Sequence, residues 1–259
     1  MKRFLILMYH AIDLPRGERE ERYACPPTLF AQHMRLLRAR GYTPVSLDDI
    51  AAYLRLEGEI PDHAVAVTLD DGFQDNFDHA LPVLLEHQIP ATIFLATGMI
   101  GGSNSWMQAR DFPSRAMLSW SQIREMSDAG ISFGGHTVTH PRLPDLASPQ
   151  AIREISDSKN TIEDITGCPV KHFAYPYGLL NPQVRDLVEH AGFETACTTR
   201  PGFNRPDIDH FLLRRIEVYG QNRAWQLAQK LRFGTNEASP LGPLRYYWKR
   251  ARQRLFDID

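Results

Sequence analysis

Short apolar runs, each followed by a stretch of helical period, recur along these 259 residues and leave the chain few folds. The runs are Phe4–Met8, Tyr42–Val45, Ala64–Leu69, Ala91–Ala96, Ile131–Phe133, Phe173–Tyr175, Glu194–Thr198 and Phe211–Val218. They are too short for helices and are bounded by glycine or polar residues, which predicts strands. Between them, Thr28 caps a helix to about Arg40, with Phe30, Met34 and Leu37 on one face and Gly41 closing it. Ser46 with Asp49, and Ser119 with Gln122, have capping-box spacing. Further helices are expected over Asn76–His87, Ser148–Thr166 and Asn181–His190, the last with Pro182 in its first turn. Strands that alternate with helices lie parallel, joined by crossovers. About seven such units fit an α/β barrel, complete or not, with an open doubly wound sheet as the alternative. The first strand is not followed by a glycine-rich phosphate loop, which weakens a nucleotide-binding reading.

Domain organisation follows from where this rhythm stops. Residues 1–220 carry it and form one domain; residues 221–259 are a C-terminal extension. There, Asn222–Phe233 can form a helix, Pro240–Pro243 breaks it, and Leu244–Leu255 is basic and aromatic, with Tyr246, Tyr247 and Trp248. Such a tail either makes peripheral contact with an anionic membrane or packs its rings on the domain and leaves its charges in water. Two long stretches, Asp13–Arg22 and Gly98–Arg115, read as loops, the first polar and expected to be mobile. The apolar start, Phe4–Met8, is too short for a signal peptide and is interrupted by Tyr9, His10 and Asp13, so the expected location is cytoplasmic. A formal charge of −2 implies no general nucleic-acid surface. Cys25, Cys168 and Cys197 are too scattered for a disulfide framework or a thiolate zinc site, and are expected to be buried.

Two strand ends carry chemistry. The run Ala64–Leu69 delivers Asp70-Asp71-Gly72, two adjacent carboxylates that repel unless a cation or a shared proton holds them. Asp-Gly is also a common turn signal. The run Ile131–Phe133 leads into Gly134-Gly135-His136-Thr137-Val138-Thr139-His140. Histidines four apart share a face if the backbone makes a helical turn. Two imidazoles and a carboxylate suit a divalent metal, zinc above all. Either histidine alone reads equally as a polar loop residue. Trp120, at a helix start, can stack on a sugar or pack in the core.

Three stretches in order, Thr68-Leu69-Asp70-Asp71-Gly72, His136-Thr137-Val138-Thr139-His140 and Phe173-Ala174-Tyr175-Pro176-Tyr177-Gly178, resemble the first three motifs of the polysaccharide deacetylases, carbohydrate esterase family four or NodB-like domains. The resemblance implies a deformed (β/α)7-type barrel, a divalent metal and removal of acetyl groups from N-acetylated sugars. It implies Asp71, His136 and His140 as metal ligands, Asp70 as general base, and the Tyr177 amide as oxyanion donor in a turn shaped by Pro176. Tyr175 and Tyr177, flanking that turn, are candidates to line the sugar groove. Two departures stand out: family members usually have an arginine where this chain has Ala174, and Leu212–Ile216 has no histidine to act as acid. A circularly permuted branch, similar to the poly-N-acetylglucosamine deacetylases, supplies the acid from a Tyr-His after the first strand. Tyr9-His10 resembles it, which implies His10 as general acid. In that branch Arg215 fits the arginine that orients the base, with Arg214 as fallback. The expected function is metal-dependent deacetylation of N-acetylhexosamine units, in a polymer, an oligomer or a lipid-linked precursor. A hydrolase of small cyclic amides or ureides and a non-catalytic saccharide-binding domain are the alternatives.

Overall fold

The apolar runs lie side by side in one eight-stranded parallel sheet, in a computed structural model that describes residues 2–244 and 246–248. Strands β1 (Leu5–Tyr9), β3 (Ala64–Leu69) and β4 (Ala91–Leu95) are buried at every residue, as parallel strands covered on both faces are. β2 (Thr43–Pro44) pairs with the start of β3. β5 (Ser132–Gly135), β6 (His172–Ala174) and β7 (Thr195–Cys197) extend the sheet beyond β4, and β8 (Ile216–Glu217) flanks β1. The stretch before β8 bonds back onto β7, Leu213 N–H to Ala196 O at 2.9 Å and Thr198 N–H to Leu213 O at 2.8 Å. Ile216 and Glu217 then lie in register with Leu7 and Met8 of β1. One short segment thus touches both outer strands and curls the sheet into a deformed (β/α) barrel, which an open doubly wound sheet does not allow.

Helices α1 (Pro27–Ala39), α2 (Leu47–Leu54), α3 (Leu81–Glu86), α4 (Trp120–Asp128), α5 (Ser148–Thr166) and α6 (Pro182–His190) fill the crossovers. Both capping boxes form: Ser46 Oγ accepts from Asp49 N–H at 3.0 Å and Ser119 Oγ from Gln122 N–H at 3.2 Å. Thr28 is not a cap, because α1 already begins at Pro27, whose fixed φ suits a first turn. The loop Asp13–Arg22 is not loose: buried Glu20 is forked by Arg115, with both bonds at 2.8 Å. Cys25 and Cys197 are buried, but Cys168 is exposed.

Alternation along the strands sorts side chains between two layers. Leu5, Leu7 and Tyr9 of β1 pack with Val65, Val67 and Leu69 of β3 against the helices. Phe4, Ile6 and Ala66 pack with Phe94, Ala174, Cys197 and Leu213 in the barrel interior. A further helix, α7 (Ala224–Phe233), places Leu227 and Leu231 in the helix-facing core. Its Lys230 Nζ donates to Glu217 O at 2.8 Å. The C-terminal extension beyond residue 220 thus packs, through α7, into the same core as the strands. Tyr246 and Tyr247 pack on Phe233, with ring centroids 4.5 and 5.9 Å away, while Leu244 and Trp248 are exposed. Arg245 and residues 249–259, most of the basic tail, lie outside the described residues. Among the described residues no helix is long and apolar enough to cross a membrane.

Candidate active site

The carboxyl ends of β1, β3, β5 and β6 meet over one cleft of about 270 Å³, bordered by His10, Asp70, Asp71, His136, His140 and Tyr177. Strand parity decides what β3 and its continuation contribute. Thr68 and Asp70 follow Ala64 and Ala66 on the interior face, and across the barrel Arg215 follows Leu213 on the same side. Arg215 is fully buried and forks onto Asp70, Nη1 to Oδ1 at 2.6 Å and Nη2 to Oδ2 at 2.7 Å. Its Nε donates to Thr198 O at 3.0 Å and its Nη1 also to Thr68 Oγ1 at 3.2 Å. Arg214, the fallback, is exposed. Burial pushes the Asp70 carboxyl up, but the charges of Arg215 and then His136 outweigh it and hold Asp70 below the usual carboxylate range.

Asp71 turns out of the strand with φ 78°. Thr137 (68°), His140 (57°) and Tyr177 (58°) also take the left-handed conformation, so backbone strain gathers at this one cleft. Left-handed residues at both ends of 137–140 mean that the two histidines converge through a bent loop rather than through a helical turn. That loop is pinned from α5: Glu154 Oε2 accepts from Val138 N–H and Thr139 N–H, both at 2.8 Å, and His140 N–H donates to Thr137 Oγ1 at 3.0 Å. Gly134 is needed where β5 squeezes past its neighbours: a Cβ there would stand 2.5 Å from the Phe94 ring and 2.8 Å from His172 O.

The Asp71, His136 and His140 ligand atoms form a tight triangle. His136 Nε2 and His140 Nε2 are 3.2 Å apart, and Asp71 Oδ1 is 3.5 and 3.4 Å from them. Bonds to zinc of about 2.0–2.2 Å at tetrahedral angles set ligand atoms about 3.3–3.6 Å apart, so the triangle fits such an ion. His136 Nδ1 lies 2.6 Å from Ala174 O, which places the proton on Nδ1 and leaves Nε2 free as a ligand. All three residues are buried. Burial raises the Asp71 carboxyl, but its bonds to His136 and His140 prevail and hold it far below the usual range. Burial likewise lowers the His140 imidazole, against the opposing pull of Asp71. The donor set, one carboxylate and two imidazoles, suits an ion that keeps open positions.

Of the other expected site residues, some reach the cleft and some do not. His10 borders it, half-buried, with its ring edge-on to Tyr23 at 5.3 Å. Tyr177 is 37% exposed and meets His140 edge-on at 4.6 Å. In its turn the Gly178 and Leu179 amides bond to Tyr175 O and Pro176 O, a task the Tyr177 amide does not share. Tyr175 also borders the cleft, although it is fully buried and its hydroxyl donates to Phe211 O at 3.1 Å. Pro176 is buried at the start of the turn. Trp120 does not line the cleft and packs against the core. The tryptophan at the site is Trp106, stacked on His140 at 5.0 Å, and with Tyr23 and Phe112 it gives the cleft an aromatic wall. Nothing in the irregular stretch around Trp106 marks it beforehand, and Glu154 is hidden in an ordinary helix face.

Residues 57–196 match the family model described as polysaccharide deacetylase. YxkH of Bacillus subtilis (strain 168) is 30% identical over 213 residues, covering 82% of this chain and 70% of YxkH. Poly-beta-1,6-N-acetyl-D-glucosamine N-deacetylase of Staphylococcus epidermidis is 28% identical over 217 residues, covering 80% of this chain and 72% of its own. Among solved structures, the Streptococcus pyogenes deacetylase PplD, in complex with acetate, superposes with a TM-score of 0.76 at 27% identity, covering 88% of this chain and 98% of PplD.

Proposed function

The chain belongs to the polysaccharide deacetylase family, and from that membership we propose that it removes acetyl groups from N-acetylhexosamine units of a poly- or oligosaccharide with a divalent cation, zinc by preference, held by Asp71, His136 and His140. The observation that carries the reading is the pairing of that ligand triangle with a second carboxylate, Asp70, forked by a buried arginine beside it. Held by Asp71, His136 and His140, such a cation would supply an acidified water and a polarised acetyl carbonyl. Asp70, kept ionised and aimed by Arg215, takes the proton of the attacking water. The Tyr177 amide donates to the developing oxyanion. His10, which borders the same cleft, gives a proton to the departing amine. Trp106, Tyr23, Phe112 and Tyr177 offer ring faces to a sugar chain, and an aromatic wall open to solvent suits a saccharide better than a small cyclic amide.

Acetate release from a panel of acetylated glucosamine oligomers, measured with zinc and after chelation, tests this. Expected are release that the chelator abolishes and zinc restores, and an Asp70→Asn variant that keeps its zinc but loses at least about 10²-fold in turnover. Full turnover in Asp70→Asn would remove the base assignment. Absence of acetate from every oligomer in the zinc-loaded protein would remove the function.

A further inference from the structure

We infer that Asp75, Asn76 and Arg115 form a positioning device that fixes the backbone around His10 and so aims its imidazole at the departing nitrogen. This rests on the general-acid reading of His10 above. The His10 ring meets the edge of Tyr23 at 5.3 Å, and the chain that carries it sets where it points. That chain is gripped at successive residues. Asn76 Nδ2 donates to His10 O at 3.0 Å, and Asp75 Oδ1 accepts from Ile12 N–H at 2.7 Å. Arg115 holds the next stretch, with Nη1 to Asp13 Oδ2 at 2.8 Å, Nη2 to Leu14 O at 2.8 Å and the fork onto Glu20. Nη1 also reaches Asp75 Oδ2 at 3.4 Å, which ties the two grips together.

Asn76 is fully buried and Arg115 and Glu20 are each 3% exposed. Three carboxylates on one guanidinium are an expensive way to fill a loop base; burial pushes the Asp75 carboxyl up to about 6. Apolar side chains of the same volume would hold the loops together at less cost. What they cannot do is fix hydrogen-bonded backbone at residues 10, 12 and 14 in one geometry. Asp75 and Asn76 stand four and five residues after Asp71, so the loop that delivers this proposed metal ligand also grips the backbone that carries His10.

The chemistry provides a discriminating test. In the acetamide, water oxygen bonds to the carbonyl carbon, the C–N bond breaks, and the nitrogen leaves with a proton from His10, giving acetate and a free amine. In an aryl acetate the phenolate leaves without a proton. Asn76→Leu and the milder Arg115→Lys are compared with wild type and His10→Ala on an acetylated glucosamine oligomer and on 4-methylumbelliferyl acetate. Zinc affinity, melting temperature and hydrogen exchange at the Ile12 amide are measured alongside. Expected for Asn76→Leu is an amide kcat lower by about 10²-fold with KM and zinc affinity unchanged, ester hydrolysis within about threefold of wild type, and faster Ile12 exchange. Arg115→Lys follows with a smaller loss of the same kind. If His10→Ala shows this split and the other two lose amide and ester turnover together, or neither, the positioning inference is overturned and the acid assignment stands. If His10→Ala itself shows no split, the acid assignment fails and takes the inference with it.

Discussion

At the scale of the residue, most of what the site needs is visible as residue type, and what is missing is partnership. Arg215 and Arg214 are adjacent, yet parity with Leu213 puts Arg215 inside the barrel and Arg214 outside, a distinction already latent in the alternating pattern. Trp106 and Asn76 were illegible because their roles come from contacts between loops with no periodicity. Arg215→Met is expected to strip the fork from Asp70, lowering stability by about 3–5 kcal/mol through an uncompensated buried carboxylate. Adding Asp70→Asn should recover part of that stability but none of the turnover, which denaturant unfolding and acetate release together would show. His33 gives a pH prediction. Burial first, against a bond to Asn222 O at 2.6 Å, holds its imidazole at about 4. The neutral ring is the folded form, so its stabilisation is complete above pH about 6.5 and fades as pH falls through about 4. Wild type minus His33→Gln, followed by melting temperature between pH 7 and 4, should therefore narrow by about 3 kcal/mol.

Elements were legible wherever local chemistry sufficed: both capping boxes, Pro182 at the start of α6 and the buried runs of β1, β3 and β4 need only their own residues. The histidine loop was not, because a spacing of four fits a helix and a bent loop equally. The bend depends on Glu154, fourteen residues after His140 and one helix away. Glu154→Ala should free the Val138 and Thr139 amides, weaken zinc binding by about 10–100-fold and leave the melting temperature of the zinc-free protein nearly unchanged. Titration of the zinc-free protein with zinc would read it, and wild-type affinity would show that the loop holds its shape without α5.

On the scale of the whole molecule, alternation was enough for the fold class, while closure of the barrel and the packing of α7 were not legible. β8 is two residues long and its partner β1 lies at the other end of the chain, so no local pattern announces the join. Likewise α7 has the look of an appendage, though Leu227 and Leu231 belong to the central core. A chain ending at residue 220 should accordingly be insoluble or melt far below wild type. One ending at residue 239 should melt close to it, as differential scanning calorimetry would record. The fork between Asp70 and Arg215 joins positions 145 residues apart and forms only where the segment before β8 seals the barrel. During synthesis, then, Asp70 waits without its partner until the ribosome has passed Arg215, so the proposed base is assembled only in a barrel whose last strand has been made.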